Sequence, residues 1–112
     1  MRIDERNVDG VVVLDLHGRI AAGDGAIKET IDALTSSGVK RVVINFSDVP
    51  YMDSVGLSVL VRARLTMGQR GGELKLACLP KHLADLLRLT RLSTVFETFD
   101  DETAAIRSFA GV

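Results

Sequence analysis

The stretch Arg41–Phe46 constrains the fold more than any other part of the chain. Its apolar residues occupy both alternating faces of the predicted strand, which is typical of a central strand that is covered on both sides. Patterns typical of helices precede and follow this strand in the sequence. Strands that alternate with helices in this way predict an α/β domain.

The segment before this strand predicts a β-hairpin and then a crossover helix. Ile3–Val8 and Val11–His17 are joined by Asp9-Gly10, a dipeptide that favours a two-residue turn between antiparallel strands. Asp24 is suited to cap the following helix at its N-terminus, and Gly38 is suited to end it. The apolar residues of this helix recur at i, i+4 and i+7, namely Ile27, Ile31 and Leu34.

The remainder of the chain predicts three further helices and two further strands. A helix begins near Ser54 and ends near Gly71-Gly72, and Pro80 is suited to start the next helix. Asp100 or Asp101 is suited to cap the last helix, which turns apolar residues inward. The two predicted strands are Glu73–Leu79 and Val95–Phe99.

Length and net charge limit the classes of function. With 112 residues, the chain fits one domain, so we expect residues 1–112 to form a single unit. A formal charge of -1 gives no net field to attract nucleic acid or an anionic membrane. No apolar run approaches the ~20 residues that span a bilayer, and the N-terminus lacks a signal-peptide core. We therefore expect a cytoplasmic protein that binds neither nucleic acid nor membranes directly.

Positive charge is concentrated in residues 62–91, where seven Lys or Arg residues face only Glu73 and Asp85. Two interpretations remain open, which are the solvated faces of separate elements and a surface for an acidic partner. The basic residues are Arg62, Arg64, Arg70, Lys75, Lys81, Arg88 and Arg91.

The single cysteine and the two histidines give no sign of a metal site or a cofactor. Cys78 lies in an alternating run that predicts a strand position, where a packing role or redox chemistry would both be compatible with the sequence. His17 and His82 are isolated, with no ligand spacing around them. We expect neither a metal site nor a cofactor.

Ser54 lies where the predicted strand gives way to the predicted helix. Three roles are compatible with this position: a helix cap made by Asp53 or Ser54, a catalytic nucleophile, or a site of modification. The glycine that opens a G-x-S-x-G nucleophile elbow is absent, because Met52 and Asp53 precede the serine. Helix N-termini offer unpaired N–H groups to anions, so a phosphate on Ser54 is expected to find such groups.

The helix that follows Ser54 has two distinct faces. Its expected core face carries small and apolar residues, namely Gly56, Leu57, Leu60, Ala63 and Met67. Val55, Val59, Arg62 and Thr66 lie on the opposite side, beginning with the residue next to the serine. That side is compatible with scattered exposed valines on a solvated face or with a docking surface beside Ser54.

These elements and motifs resemble the STAS domain of bacterial anti-sigma-factor antagonists along essentially the whole chain. The specific motifs are Gly18-Arg19-Ile20, Met52-Asp53-Ser54-Val55-Gly56-Leu57, Gly71-Gly72-Glu73-Leu74-Lys75-Leu76 and Leu89-Thr90-Arg91-Leu92-Ser93-Thr94-Val95-Phe96. The resemblance implies an α/β fold of the STAS type, with a mixed central β-sheet that opens with a β-hairpin and about four α-helices packed mainly on one face.

The resemblance also implies a non-catalytic, phosphorylation-controlled switch. The partners would be an anti-sigma factor with a serine-kinase fold, which phosphorylates Ser54, and a serine phosphatase that restores it. Unmodified protein would bind the kinase, and phosphorylated protein would be released. The implied partner-binding residues are Asp53, Ser54, Val55, Gly56, Leu57, Ser58, Val59, Arg62 and Asp24.

One position departs from the family pattern, since Ala21 stands where many antagonists have an acidic residue. Asp24 lies three residues further on and is a candidate for a similar contact. The departure leaves a second hypothesis open. In this hypothesis, the chain is a scaffold or signalling STAS module that assembles with other STAS proteins and associates weakly with itself.

Overall fold

A computed structural model describes residues 1–20 and 25–110 of the chain. The strands are β1 (Arg2–Val8), β2 (Val11–His17), β3 (Arg41–Asp48), β4 (Glu73–Ala77) and β5 (Thr98–Phe99). The helices are α1 (Ala26–Ser36), α2 (Ser54–Gln69), α3 (Lys81–Leu89) and α4 (Glu102–Ser108), with a short 3-10 turn at Leu92–Thr94.

The five strands form one mixed sheet in the order β1-β2-β3-β4-β5. β1 pairs antiparallel with β2, and the other neighbours pair in parallel. Asp9 and Gly10 both have positive φ angles, 53° and 81°, as a tight hairpin turn requires. The predicted opening hairpin is therefore confirmed. So is the central position of β3, where Val42, Val43 and Ile44 are completely buried.

The helices lie on both faces of the sheet, three on one and one on the other. α1, α2 and α3 cover the larger core, which is built from residues such as Leu14, Ile44, Leu60 and Leu83. α4 covers a smaller core on the opposite face. That core consists of Val11, Val13, Val43, Ala77, Ala105 and Phe109. The expectation of about four helices packed mainly on one face is confirmed.

The last strand is shorter than the predicted Val95–Phe99. Val95 ends the 3-10 turn, and Phe96 is buried in the larger core without belonging to a strand. Only Thr98 and Phe99 pair with β4. The predicted strand exists, but its predicted start was wrong because Val95 and Phe96 pack against the core from an irregular segment, which apolar character alone does not distinguish from a strand.

Cys78 lies just after β4, so the strand position predicted for it was wrong. Its φ angle is 61°, which ends the extended conformation of the strand. Burial raises the pKa of the Cys78 thiol. A raised pKa disfavours the reactive thiolate, which favours a packing role over redox chemistry.

The predicted helix caps can be compared with the observed helix starts. Asp101 caps α4, because its Oδ1 accepts a hydrogen bond from the N–H of Ala104 at 2.7 Å. α1 begins at Ala26, with Gly25 in the cap position. Asp24, predicted as this cap and as a partner contact, lies outside the described residues, as does Ala21.

Lys75 is a buried lysine on β4, on the face covered by α4. Its Nζ donates a hydrogen bond to Ser108 Oγ at 2.7 Å and lies 4.2 Å from the centroid of the Phe109 ring. It also lies 3.2 Å from a carboxylate oxygen of Glu97. Lys75 therefore helps to attach α4, so the seven basic residues of 62–91 do not form one surface.

Arg6 on β1 also connects the sheet to α4. Its Nε lies 2.7 Å from Asp15 Oδ2, and its Nη2 pairs with Glu102 in the first turn of α4. The side-chain amide of Asn45 donates to Glu102 Oε1 at 3.1 Å. The hydrogen bond from Arg6 and, to a lesser degree, that from Asn45 lower the pKa of Glu102.

Glu102→Gln is expected to destabilise the protein near neutral pH but not in acid. Because the pKa of Glu102 is lowered in the folded protein, its contribution is complete above the ordinary value of 4.5 and is lost as the pH falls through the lower, folded value. We expect a loss of roughly 1 kcal/mol near neutral pH, since Arg6 is partly exposed. Urea unfolding near pH 7 and about pH 3 measures this loss.

Glu5→Gln is a matched control for this prediction. Glu5 is exposed on β1, and its side chain makes no ion pair within the described residues. Its substitution should have little effect at either pH. A destabilisation by Glu102→Gln of equal size at both pH values would contradict an electrostatic role for Glu102.

Candidate functional site

Ser54 is the first residue of α2, at the end of the loop that follows β3. Val49 and Met52 anchor this loop, since each is only 2% exposed. The Ser54 side chain is exposed, and its hydroxyl makes no hydrogen bond with any residue in 1–20 or 25–110. An anchored loop therefore presents an exposed hydroxyl at the carboxyl edge of the sheet.

Asp53, not Ser54, caps α2. Its Oδ1 accepts hydrogen bonds from the N–H of Val55 at 3.0 Å and from the N–H of Gly56 at 3.2 Å. The expectation that these N–H groups would be free to receive a phosphate on Ser54 was therefore wrong. The carboxylate of Asp53 uses them, and it places a negative charge beside the serine.

Asp53→Ala is expected to lower the free energy of unfolding by about 1 kcal/mol, because two N–H groups at the helix start lose their acceptor. Thermal or urea unfolding measures the change. Asp100→Ala is the matched control, since Asp100 carries the same charge one residue before the cap of α4 and makes no hydrogen bond in the described part of the chain. Equal effects of the two substitutions would contradict a capping role for Asp53.

Gly56 lies where the first turn of α2 meets two other segments. A Cβ atom at this position would lie 2.5 Å from Cγ of Met52 and 3.2 Å from Cβ of Ile20. Both neighbours are buried, so neither has free space to move into. The absence of a side chain at Gly56 thus sets how closely the start of α2 approaches the loops around Ser54.

The two faces of α2 are arranged as predicted. Gly56, Leu57, Leu60, Ala63 and Met67 are buried, which confirms the core face. Gly56 and Leu57, which were also predicted to contact the partner, are therefore turned inward. They shape the start of the helix rather than its outer surface.

The opposite side of α2 carries the remaining predicted contacts. Val55 is 42% exposed, and Arg62 is exposed one turn beyond Val59. Val59 is half-buried against the larger core. Ser58 is exposed, and its hydroxyl donates to the carbonyl oxygen of Val55 at 2.8 Å. Val59, Arg62 and Ser58 line a groove of about 670 Å³ between α1 and α2.

Neither histidine is arranged as a base for Ser54. The Nδ1 of His17 lies 2.6 Å from Asp48 Oδ2, and its Nε2 lies 3.0 Å from Asp4 Oδ2. His82 stacks on Tyr51 instead. The side chains within residues 1–20 and 25–110 thus do not form a serine–histidine pair at Ser54.

The described part of the chain offers neither a cluster of metal ligands nor a helix that could span a membrane. Residues 1–20 and 25–110 hold no group of three or more His, Cys, Asp or Glu side chains that could hold a metal ion. In the same part of the chain, each helix is too short or too polar to cross a membrane.

The geometry of this site can be compared with known proteins. The family model for the STAS domain matches residues 2–105. The chain belongs to the STAS family. The anti-sigma-B factor antagonist of Listeria monocytogenes is 33% identical to this STAS domain over 98 residues, which cover 87% of this chain and 85% of the relative. The STAS domain is thus a member of the anti-sigma-factor antagonists.

Solved structures show the same fold for this STAS domain. An anti-sigma factor antagonist from Mycobacterium paratuberculosis is 23% identical, with a TM-score of 0.84 over 96% of this chain and 92% of that one. SpoIIAA in its unphosphorylated form gives a TM-score of 0.74 at 19% identity over 99% and 100% of the two chains. Bacillus SpoIIAA in its phosphorylated form gives 0.75 at 18% identity over 96% and 97%.

Sequence reasoning missed one group of residues near Ser54. Arg19, Tyr51 and His82 come from three separate segments of the STAS domain and meet at the carboxyl edge of the sheet. Each was visible in the sequence, but no periodic pattern connects residues so far apart. The only available signal was that all three follow the ends of predicted neighbouring strands.

Proposed function

We propose that this STAS domain is a cytoplasmic, non-catalytic anti-sigma-factor antagonist that acts as a phosphorylation-controlled binding switch. Its unmodified form binds an anti-sigma factor with a serine-kinase fold, and phosphorylation of Ser54 releases it. A serine phosphatase restores the binding form. The observation that carries this proposal is the exposed hydroxyl of Ser54, which makes no hydrogen bond with the described residues and lies beside the exposed side chain of Val55.

The surroundings of Ser54 favour release by charge and steric exclusion. A phosphate adds about -1.5 to -2 charges beside the carboxylate of Asp53. Val55, the next residue, presents an apolar side chain that a partner would cover. A partner fitted to a neutral hydroxyl and an apolar neighbour would have to bury this new charge.

The fold is expected to survive the modification. The Ser54 hydroxyl makes no hydrogen bond in the described part of the chain, so adding a phosphate breaks no internal contact of that group. The similarity of this STAS domain to SpoIIAA supports the same expectation, since its TM-scores with the unphosphorylated and phosphorylated forms are 0.74 and 0.75. We therefore propose a switch without refolding.

Phosphate mapping tests the proposal. The protein is incubated with ATP and each serine kinase that is encoded beside it, and the modified residue is located by mass spectrometry. We expect one phosphate on Ser54, none on Ser54→Ala, and removal by a metal-dependent phosphatase. Ser58 is an internal control, because it is also exposed and lies one helical turn away. A kinase that binds the protein but leaves Ser54 unmodified would contradict the proposal.

Val55→Asp is expected to weaken kinase binding at least about 10-fold with little change in the melting temperature. Val55 is exposed, and an acidic residue is well tolerated in the first turn of a helix. Val59→Asp would be a poorer probe, because Val59 packs partly against the core. Calorimetric titration and thermal unfolding measure the two effects.

Leu89→Asp is the control for this substitution. Leu89 is 83% exposed at the end of α3, so the same change of charge there should leave binding unaltered and lower stability only slightly, because an acidic residue is unfavourable at a helix C-terminus. Unchanged binding by Val55→Asp would place the docking surface away from Ser54.

A further inference from the structure

Arg19, Tyr51 and His82 form an exposed cluster, here called the Tyr51 cluster. Arg19 follows β2, Tyr51 lies in the loop before α2, and His82 is the second residue of α3. The Cζ of Arg19 lies 5.1 Å from the centroid of the Tyr51 ring. The ring of His82 stacks on the same residue, with centroids 6.1 Å apart and planes inclined by 10°. Tyr51 is 47% exposed.

The Tyr51 cluster carries the positive charge of Arg19. Within residues 1–20 and 25–110, neither Arg19 nor His82 forms an ion pair, whereas Arg6, Lys28 and Arg88 all do. An arginine over an aromatic ring is held in place, while the N–H groups around the edge of its guanidinium stay available. Such a group is prepared to bind an oxyanion, since arginine matches the geometry of phosphate or carboxylate oxygens.

The cluster lies beside the start of α2. Tyr51 precedes Ser54 by three residues in the same anchored loop. Ile20, the neighbour of Arg19, packs within 3.2 Å of where a Cβ of Gly56 would lie, so the segment that carries Arg19 approaches the first turn of α2. Arg19 and Ser54 thus extend from segments that are in contact.

The helix that carries Ser54 has no cationic side chain close to a phosphate at that position. The N–H groups of Val55 and Gly56 already bond to Asp53, whose negative charge opposes the phosphate. The nearest arginine along α2 is Arg62, which lies more than two helical turns from Ser54. Arg19, which follows β2, is held over Tyr51 in the loop that leads into this helix.

We infer that Arg19, positioned by Tyr51, which also stacks with His82, binds the phosphate of phosphorylated Ser54 within the same chain. The inference rests on the proposed function only in that Ser54 is the residue that carries the phosphate. Arg19 would partly neutralise the phosphate and offset its repulsion by Asp53. Phosphorylation would then both prevent binding to the kinase and add a stabilising contact between Arg19 and the phosphate within the protein itself.

The test uses protein with phosphoserine installed at position 54 during translation, so it needs no kinase. A ³¹P NMR titration gives the second pKa of the phosphate, which is about 6 for an unpaired phosphoserine. We expect Arg19→Gln to raise this pKa by about half a unit or more, because the lost cation favours the dianion. Tyr51→Ala should act in the same direction, and Tyr51→Phe, which keeps the ring, should have little effect.

Arg64→Gln is the matched control, since Arg64 is an exposed arginine on the distal part of α2. Arg64→Gln should leave the pKa of the phosphate unchanged. In the parent phosphoprotein, binding of the phosphate by Arg19 predicts that the NMR signal of the Arg19 side-chain N–H shifts as the phosphate titrates. Equal pKa values in the parent and Arg19→Gln, or equal shifts from Arg19→Gln and Arg64→Gln, would overturn the inference. If kinases fail to modify Ser54, only the proposed function is contradicted, because this titration does not depend on them.

Discussion

Gly56→Ala is expected to lower the free energy of unfolding by about 1 to 3 kcal/mol. Its new Cβ would lie 2.5 Å from Cγ of Met52 and 3.2 Å from Cβ of Ile20, so the start of α2 has to move or the buried side chains have to repack. The loss opposes intrinsic propensity, because alanine is favoured over glycine in a helix by roughly 1 kcal/mol. The same movement would shift Ser54 and weaken partner binding.

Gly68→Ala on the same helix separates packing from propensity. A Cβ at Gly68 meets nothing within 4 Å, so we expect this substitution to stabilise the protein by about 0.5 to 1 kcal/mol. Urea unfolding of both variants gives the two free-energy changes. Stabilisation by both substitutions would show that the start of α2 is not closely packed against Met52 and Ile20.

Residues whose spacing follows a regular period were predicted well from the sequence. The core face of α2 was predicted because buried positions recur at the helical period, and the structure buries every one of those five residues. The hairpin at Asp9-Gly10 was predicted because few residue pairs accept two positive φ angles. Both signals are local, so they can be interpreted without knowledge of the rest of the fold.

Features that depend on distant contacts could not be predicted. Lys75 has the charge of a surface residue, but Ser108 of α4 and Phe109 just after it contact Lys75 from more than thirty residues away in sequence and make its burial favourable. Phe96 enters the core from an irregular segment, where no period identifies it. The charged or apolar character of a residue alone does not indicate whether distant contacts will bury it.

The candidate site shows the same division between local and distant information. The position of Ser54 at a helix start followed from the order of strand, turn and helix, and the structure confirms it. The choice between Asp53 and Ser54 as the cap did not follow, because both residue types cap helices equally well. The meeting of Arg19, Tyr51 and His82 requires the complete sheet, which brings the ends of three strands together.

Phosphorylation of Ser54 is expected to reduce affinity for the kinase more than 100-fold. A cost of roughly 3 kcal/mol at the interface corresponds to that factor. The cost arises here from the desolvation of a dianion beside the apolar side chain of Val55, at a place where the carboxylate of Asp53 already adds negative charge. Because the Ser54 hydroxyl makes no internal hydrogen bond in the described residues, the melting temperature should change little.

The most direct measurement compares the dissociation constants of the kinase with two forms of the protein, one with serine and one with phosphoserine at position 54. Isothermal titration calorimetry gives both values, and circular dichroism verifies that the two forms are equally folded. The proposed switch predicts tight binding of the serine form and binding more than about 100-fold weaker for the phosphoserine form. Equal affinity of two folded forms would contradict it.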